Sequence, residues 1–133
     1  MLSIRDNLVA FVWYLASKTR NSKNRWINNI LIVTIVVFIH NFICILTSND
    51  LSTRVVFKGK PKIYHAIGII VGSKVQFGSG VILRAHVCLG EKKLGTGSAP
   101  VIGNNVEFGI GAKVFGNISI PDDSFVKSNS TIV

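Results

Sequence analysis

The stretch VGSKVQFGSGVILRAHVCLG, residues 71 to 90, carries a large apolar residue at Val71, Phe77, Leu83 and Leu89. The interval of six matches neither the helix period of about 3.6 residues nor the two-residue strand period. After an interruption the count resumes at Ile102, Phe108, Val114, Ile120, Val126 and Ile132. Four places after most of these stands a small or β-branched residue, as at Val75, Val81, Val87, Val106, Ala112, Ile118 and Ser124. A glycine often follows the apolar residue directly, as at Gly72, Gly78, Gly90, Gly103 and Gly109. Short strands joined by tight corners produce such a count by winding into a solenoid, each coil adding a ladder step of about 4.8 Å. A β-sandwich would instead alternate in twos, with a turn roughly every ten residues. The fold expected is therefore mainly β, a parallel β-helix. Counting back six from Val71 gives His65, which places a histidine in the buried aliphatic phase. Ile102 comes thirteen places after Leu89, so the intervening GEKKLGTGSAP (90–100) must leave the coil as a loop.

The chain divides near residue 48. Residues 1–48 hold no Gly or Pro and read as two helices, Ile4 to Ser17 and Trp26 to Leu46, joined by TRNSKNR. All 12 glycines and all three prolines come later, among dense Val and Ile, which is strand-and-turn chemistry. This gives a helical segment, 1–48, and a β-helix domain, 49–133. The apolar run from Ile30 to Leu46 contains His40 and Asn41. It falls short of the roughly 20 residues a membrane span needs. It reads as a packed or membrane-touching helix, and Lys18, Arg20, Lys23 and Arg25 before it keep membrane association through residues 26–46 open.

The net charge is +9, from 15 Lys and Arg against 6 Asp and Glu, which suggests an anionic partner. The basic residues are scattered without interleaved aromatic platforms, so no nucleic acid is expected. Cys44 and Cys88 make no disulfide framework and read as small buried hydrophobes. His40, His65 and His86 are widely separated along the chain, and one of them lies on a helix. Zinc ligands on such a scaffold would need to converge, with two close in sequence, so no metal is expected. His40 reads as a satisfied polar contact and His86 as a surface residue.

The segment HAIGIIVGSKVQFGSGVILRAHVCLG (65–90) resembles, without a gap, the stretch of serine acetyltransferases that begins at their catalytic histidine. Asp50 stands fifteen places before His65, the spacing of that family's Asp–His pair. VIGNNVEFGIGAKVFGNISI (101–120) is similar to the segment bordering the family's acetyl-CoA groove. The resemblance, over residues 50–133, implies a left-handed β-helix of hexapeptide repeats with about four coils. It also implies a homotrimer with active sites between neighbouring subunits, and acetyl-CoA as acyl donor. His65 would be the general base and Asp50 its orienting partner. Gly109, Ile110 and Gly111, with Lys113 nearby, would border the pantetheine arm, although Ile110 is bulkier than the family's usual Ala. Lys92 and Lys93 would either contact CoA phosphates or sit in a solvated loop.

The chemistry fits these residue types. An imidazole titrating near neutrality can take the proton of a hydroxyl as it attacks a thioester. A carboxylate on the other ring nitrogen fixes the tautomer and stabilises the imidazolium. CoA thiolate leaves readily, so no acyl-enzyme is required and Cys88 is structural.

Three departures from the family bear on the acceptor. Tyr64 stands where the family has an Asp before its histidine. Ser98 and Ala99 stand where it has Arg-His. The segment 1–48 stands where it has a longer helical domain. These changes resemble the short O-acetyltransferases of bacterial surface-polysaccharide pathways, so the expected acceptor is a sugar of a surface polysaccharide or its precursor. The alternative is serine O-acetylation in cysteine biosynthesis. An alternative of another class is an inactive, membrane-associated β-helix scaffold. The location expected is the cytoplasm, with the inner membrane face as a variant.

Overall fold

A computed structural model describes residues 3–21, 30–93 and 95–133. Among the described residues, helices α1 (Ile4–Asn21) and α2 (Ile30–Leu46) precede thirteen strands, each very short. The strands stack into three parallel sheets. Sheet A holds β1 (Asp50–Leu51), β4 (Ile70–Val71), β7 (Cys88–Gly90), β10 (Lys113–Phe115) and β13 (Thr131–Ile132). Sheet B holds β2 (Val56–Phe57), β5 (Gln76–Phe77), β8 (Val101–Ile102) and β11 (Ser119–Ile120). Sheet C holds β3 (Lys62–Tyr64), β6 (Ile82–Arg84), β9 (Glu107–Phe108) and β12 (Phe125–Val126). The chain is a β-solenoid, as the count in sixes requires.

The interior rows are those the periodicity names, with one change of phase. Val71, Phe77, Leu83, Leu89, Ile102, Phe108, Val114, Ile120 and Val126 are buried, and so are Val75, Val81, Val87, Val106 and Ala112. Ile118, Ser124 and Ile132 are half-buried. A regular turn advances by three hexads, as from Ile70 to Cys88. The loop after β7 lengthens the next turn, which pairs Cys88 with Lys113. The first turn pairs Asp50 with Ile70, two places more than three hexads, and Lys62 paired with Ile82 repeats that offset on sheet C. Two extra residues therefore lie between Tyr64 and Ile69. Ile63, not His65, fills the buried aliphatic phase, and His65 is exposed at a corner with a φ of 57°. The expectation of a histidine in the core phase is corrected by that two-residue slip.

Corners repeat a left-handed backbone at fixed places. Between sheets B and C stand Gly80, Asn105 and Asp123, all at positive φ. Between sheets C and A stand Gly68, His86, Gly111 and Asn129, again at positive φ. Gly, Asn and Asp tolerate this region best, so the corner phase constrains residue choice apart from any function.

Helix α1 starts at Ser3, whose Oγ accepts the Asp6 N–H at 3.1 Å, an N-cap contact. It extends a turn past the expected end at Ser17, to Asn21. Both Ser17 Oγ and Asn21 Nδ2 donate to the Val55 carbonyl, which gives that last turn a partner on the first coil. The buried face of α1 (Val9, Ala10, Trp13, Ala16) packs toward the first coil, and Val9, Ala10 and Trp13 join the core of Leu51, Val55, Phe57 and Ile63. Trp13 meets Phe57 edge-on, with centroids 4.8 Å apart, and its Nε1–H donates to the Ser52 carbonyl at 3.0 Å. Helix α2 begins at Ile30; the expected portion from 26 to 29 lies outside the described residues. His40 is buried, as a polar contact, with Nε2 2.7 Å from the Leu51 carbonyl. Burial lowers its pKa against the opposing pull of that carbonyl, so it is neutral and donates there at neutral pH. Among the described residues, no helix is long and apolar enough to cross a membrane.

Candidate active site

The candidate residues gather along the edge where sheet C turns into sheet A. Asp50 is exposed on β1 and heads an outward row on sheet A that continues through Ile70, Cys88, Lys113 and Thr131. Three ladder steps, about 14 Å, separate the backbones of Asp50 and Lys113. His65 sits on the preceding corner of the first coil. Ile110 and Gly111 occupy the same corner two coils further along, a rise of about 10 Å. Among the described residues, no hydrogen bond or ion pair joins Asp50 to His65. The structure thus brings the pair to one edge without a direct bond between them.

The glycines of the expected donor groove have a reason inside the fold. A Cβ on Gly109 would lie 2.5 Å from the Ser128 amide nitrogen, and one on Gly111 would collide with Asn129 Oδ1. Stacking of the last coil therefore demands glycine at both. Ile110 is exposed at this corner, and Lys113 Nζ donates to the Gly111 carbonyl at 3.1 Å. His86 is exposed, and its ring leans over Gly68, where any Cβ would strike Nδ1.

Cys44 is buried, whereas Cys88 is only half-buried on the outward row, a correction to its expected place in the core. Burial pushes the Cys88 thiol up, Lys113 pulls it down and Asp50 pushes it up again, so the net shift is upward. A thiol held protonated at neutral pH is a poor nucleophile.

The loop expected at 90–100 is present and fastened. Glu91 accepts the N–H groups of Gly95 at 2.8 Å and Gly97 at 3.0 Å, and pairs with Lys74 at 2.8 Å. Lys92 and Lys93 are exposed on it. Tyr64 is half-buried on sheet C beside Arg84 of the next coil. The Arg84 guanidinium is engaged by Glu107, with Nε 3.0 Å from Oε1.

Sequence reasoning overlooked two residues at this edge. Asp6 of α1 is buried and its Oδ1 accepts the Ala66 N–H at 2.9 Å. Burial raises the Asp6 pKa, but the Ala66 N–H, Ser3, the His65 N–H and Arg5 outweigh it, leaving the carboxyl below its ordinary value. Asn49 is buried too; its Nδ2 donates to the Ala66 carbonyl at 3.2 Å and its Oδ1 accepts the Ile69 N–H at 2.9 Å. Asp6 is the only acidic residue before Asp50, the one signal that marked it.

A serine acetyltransferase of Mycobacterium tuberculosis is 34% identical over 93 residues, 69% of this chain and 41% of that protein. The Helicobacter pylori serine acetyltransferase is 34% identical over 74 residues, again 41% of its length. A solved serine acetyltransferase in complex with CoA superposes with a TM-score of 0.77 at 21% identity, covering 99% of this chain and 51% of that one. The chain resembles serine acetyltransferases. Another solved serine acetyltransferase, in complex with cysteine, gives a TM-score of 0.79 at 22% identity, covering 99% of this chain and 49% of that one. No family model matches. The chain spans about two-fifths of the length of these two serine acetyltransferase relatives.

Proposed function

We propose that this chain transfers acetyl from acetyl-CoA to a hydroxyl, with His65 as general base and Asp50 as its partner. The observation that carries this reading is the match to a serine acetyltransferase over 93 residues, together with the placing of both residues along one edge. His65 is exposed to an incoming hydroxyl, as a base must be. It would take the hydroxyl proton as the oxygen attacks the thioester carbonyl, and CoA would leave as thiolate. Gly109 to Gly111 and Lys113 are the proposed neighbours of the donor, on the exposed side of the corner at Ile110.

Serine is the acceptor that the relatives support. The sugar reading rests on Tyr64, Ser98 and Ala99, whereas the relatives named above are serine acetyltransferases. One local feature still favours it: the half-buried Tyr64 ring offers a serine ammonium no charge. CoA release measured with serine, neutral glycosides and nucleotide sugars separates the two. Serine is expected to exceed any neutral sugar at least about tenfold in kcat/KM, equivalent to about 1.4 kcal/mol. The reverse ratio would give the site to the sugar reading and leave acetyl transfer standing.

Homotrimeric assembly and a cytoplasmic location, where acetyl-CoA is available, belong to the same proposal. Exposed Val56 and Val101 on sheet B and Ile70 on sheet A support a covered outer face. Association with a membrane surface is the use that exposed Ile4, Leu8, Phe11 and Leu15 along α1 would support. Sedimentation equilibrium is expected to return three times the chain mass; a monomer would remove the shared-site arrangement.

A further inference from the structure

The corner that carries His65 differs from every other corner on its edge. It holds two extra residues and two left-handed ones, His65 at a φ of 57° and Gly68 at 63°. A non-glycine residue in that region is strained, so the conformation needs support from outside. Later corners receive it from the coil before. The His86 N–H donates to the Ile67 carbonyl at 3.0 Å, Gly111 to Ala85 at 2.9 Å and Asn129 to Ile110 at 2.8 Å. The first coil has no earlier coil to supply such carbonyls. Two buried side chains take that place.

We infer that Asp6 and Asn49 are positioning residues for His65, holding its corner through the backbone and setting its place relative to Asp50. Asp6 reaches from α1, far away in sequence, to the Ala66 N–H, and the His65 N–H faces the same carboxylate. Asn49 grips the corner at both ends, through the Ala66 carbonyl and the Ile69 N–H. It immediately precedes Asp50, so one residue ties the strand of the proposed partner to the corner of the proposed base. Neither side chain has to touch a substrate. A backbone shift of about 1 Å is enough to misplace a base.

This inference rests on the acetyl-transfer reading, so its test carries a readout independent of turnover. In the full chain, Asp6→Ala and Asn49→Ala are each expected to lower kcat about 10- to 100-fold, with the KM for acetyl-CoA held within about twofold. Asp6→Asn keeps an oxygen acceptor and is expected to restore most of the loss. In the same variants, the His65 ring resonance should move while that of His86 does not, and the Ala66 amide should exchange at least about tenfold faster. Wild-type kcat with an unmoved His65 resonance in folded Asp6→Ala would overturn the inference. So would an equal loss in Asp6→Asn accompanied by protection lost throughout the solenoid, since that marks a purely structural role. If the wild-type chain releases no CoA with any acceptor, the acetyl-transfer reading falls. The His65 resonance then decides the positioning on its own.

Discussion

Replacing His65 by alanine is expected to lower kcat by about 10² to 10⁴ while the KM for acetyl-CoA changes less than about twofold. The asymmetry follows from geometry. His65 projects from the first corner, and the proposed donor residues sit on the same edge two coils away. Removing an exposed imidazole empties no core position and frees no buried polar partner, so the coil should stand. Asp50→Asn should lose less, because it withdraws charge from a partner that is not directly bonded to the ring. Steady-state CoA release at saturating donor measures both. Turnover of His65→Ala at the wild-type rate would sink the assignment of the base.

Trp13→Ala is expected to cost about 3–5 kcal/mol of stability, read as a lowered urea midpoint. Trp13 is fully buried, and its ring closes the N-terminal end of the solenoid against Phe57 and, at 6.0 Å, Phe77. Phe57 and Phe77 stack on each other at 5.1 Å, so the loss would break a three-ring cluster and uncover that stacked pair. Alanine also leaves the Ser52 carbonyl without its indole donor. Trp13→Phe should recover most of the packing and lose only that bond, about 1 kcal/mol. A Trp13→Ala chain within about 1 kcal/mol of wild type would mean that α1 does not cap the coils.

The repeat was legible because one interior row takes large apolar residues and the other mostly small or β-branched ones, both at intervals of six within each run, and coil geometry imposes that interval directly. The phase of His65 was misread for an equally physical reason. Counting back from Val71 lands on His65, whereas Leu51, Phe57 and Ile63 form a second run of sixes offset by two. The two runs disagree only across Tyr64–Ile69, and that disagreement is the insertion. Helix α2 was legible from its apolar run, while the last turn of α1 was not, because its reason is the Val55 carbonyl far along the chain. The clamps at Asp6 and Asn49 were hidden similarly. Their partners are backbone groups distant in sequence, and backbone groups carry no sequence signature.

The ladder offsets also dictate the order in which the newborn chain can fold. Each strand pairs with the one a single coil later on its sheet, so every coil can close within seconds of the next being synthesised at about 5–20 residues per second. Helix α1 is made before the coils but cannot seat fully then, because Trp13 packs on Phe57 and Phe77, from two successive coils. Until Phe77 emerges, its apolar face is covered only in part, by the first coil, and this is the interval in which a chaperone would find it. The clamp on His65 closes at the same stage, since Asp6 travels with the helix. The proposed catalytic corner is therefore completed only when the earlier-made helix folds back onto the newer coils.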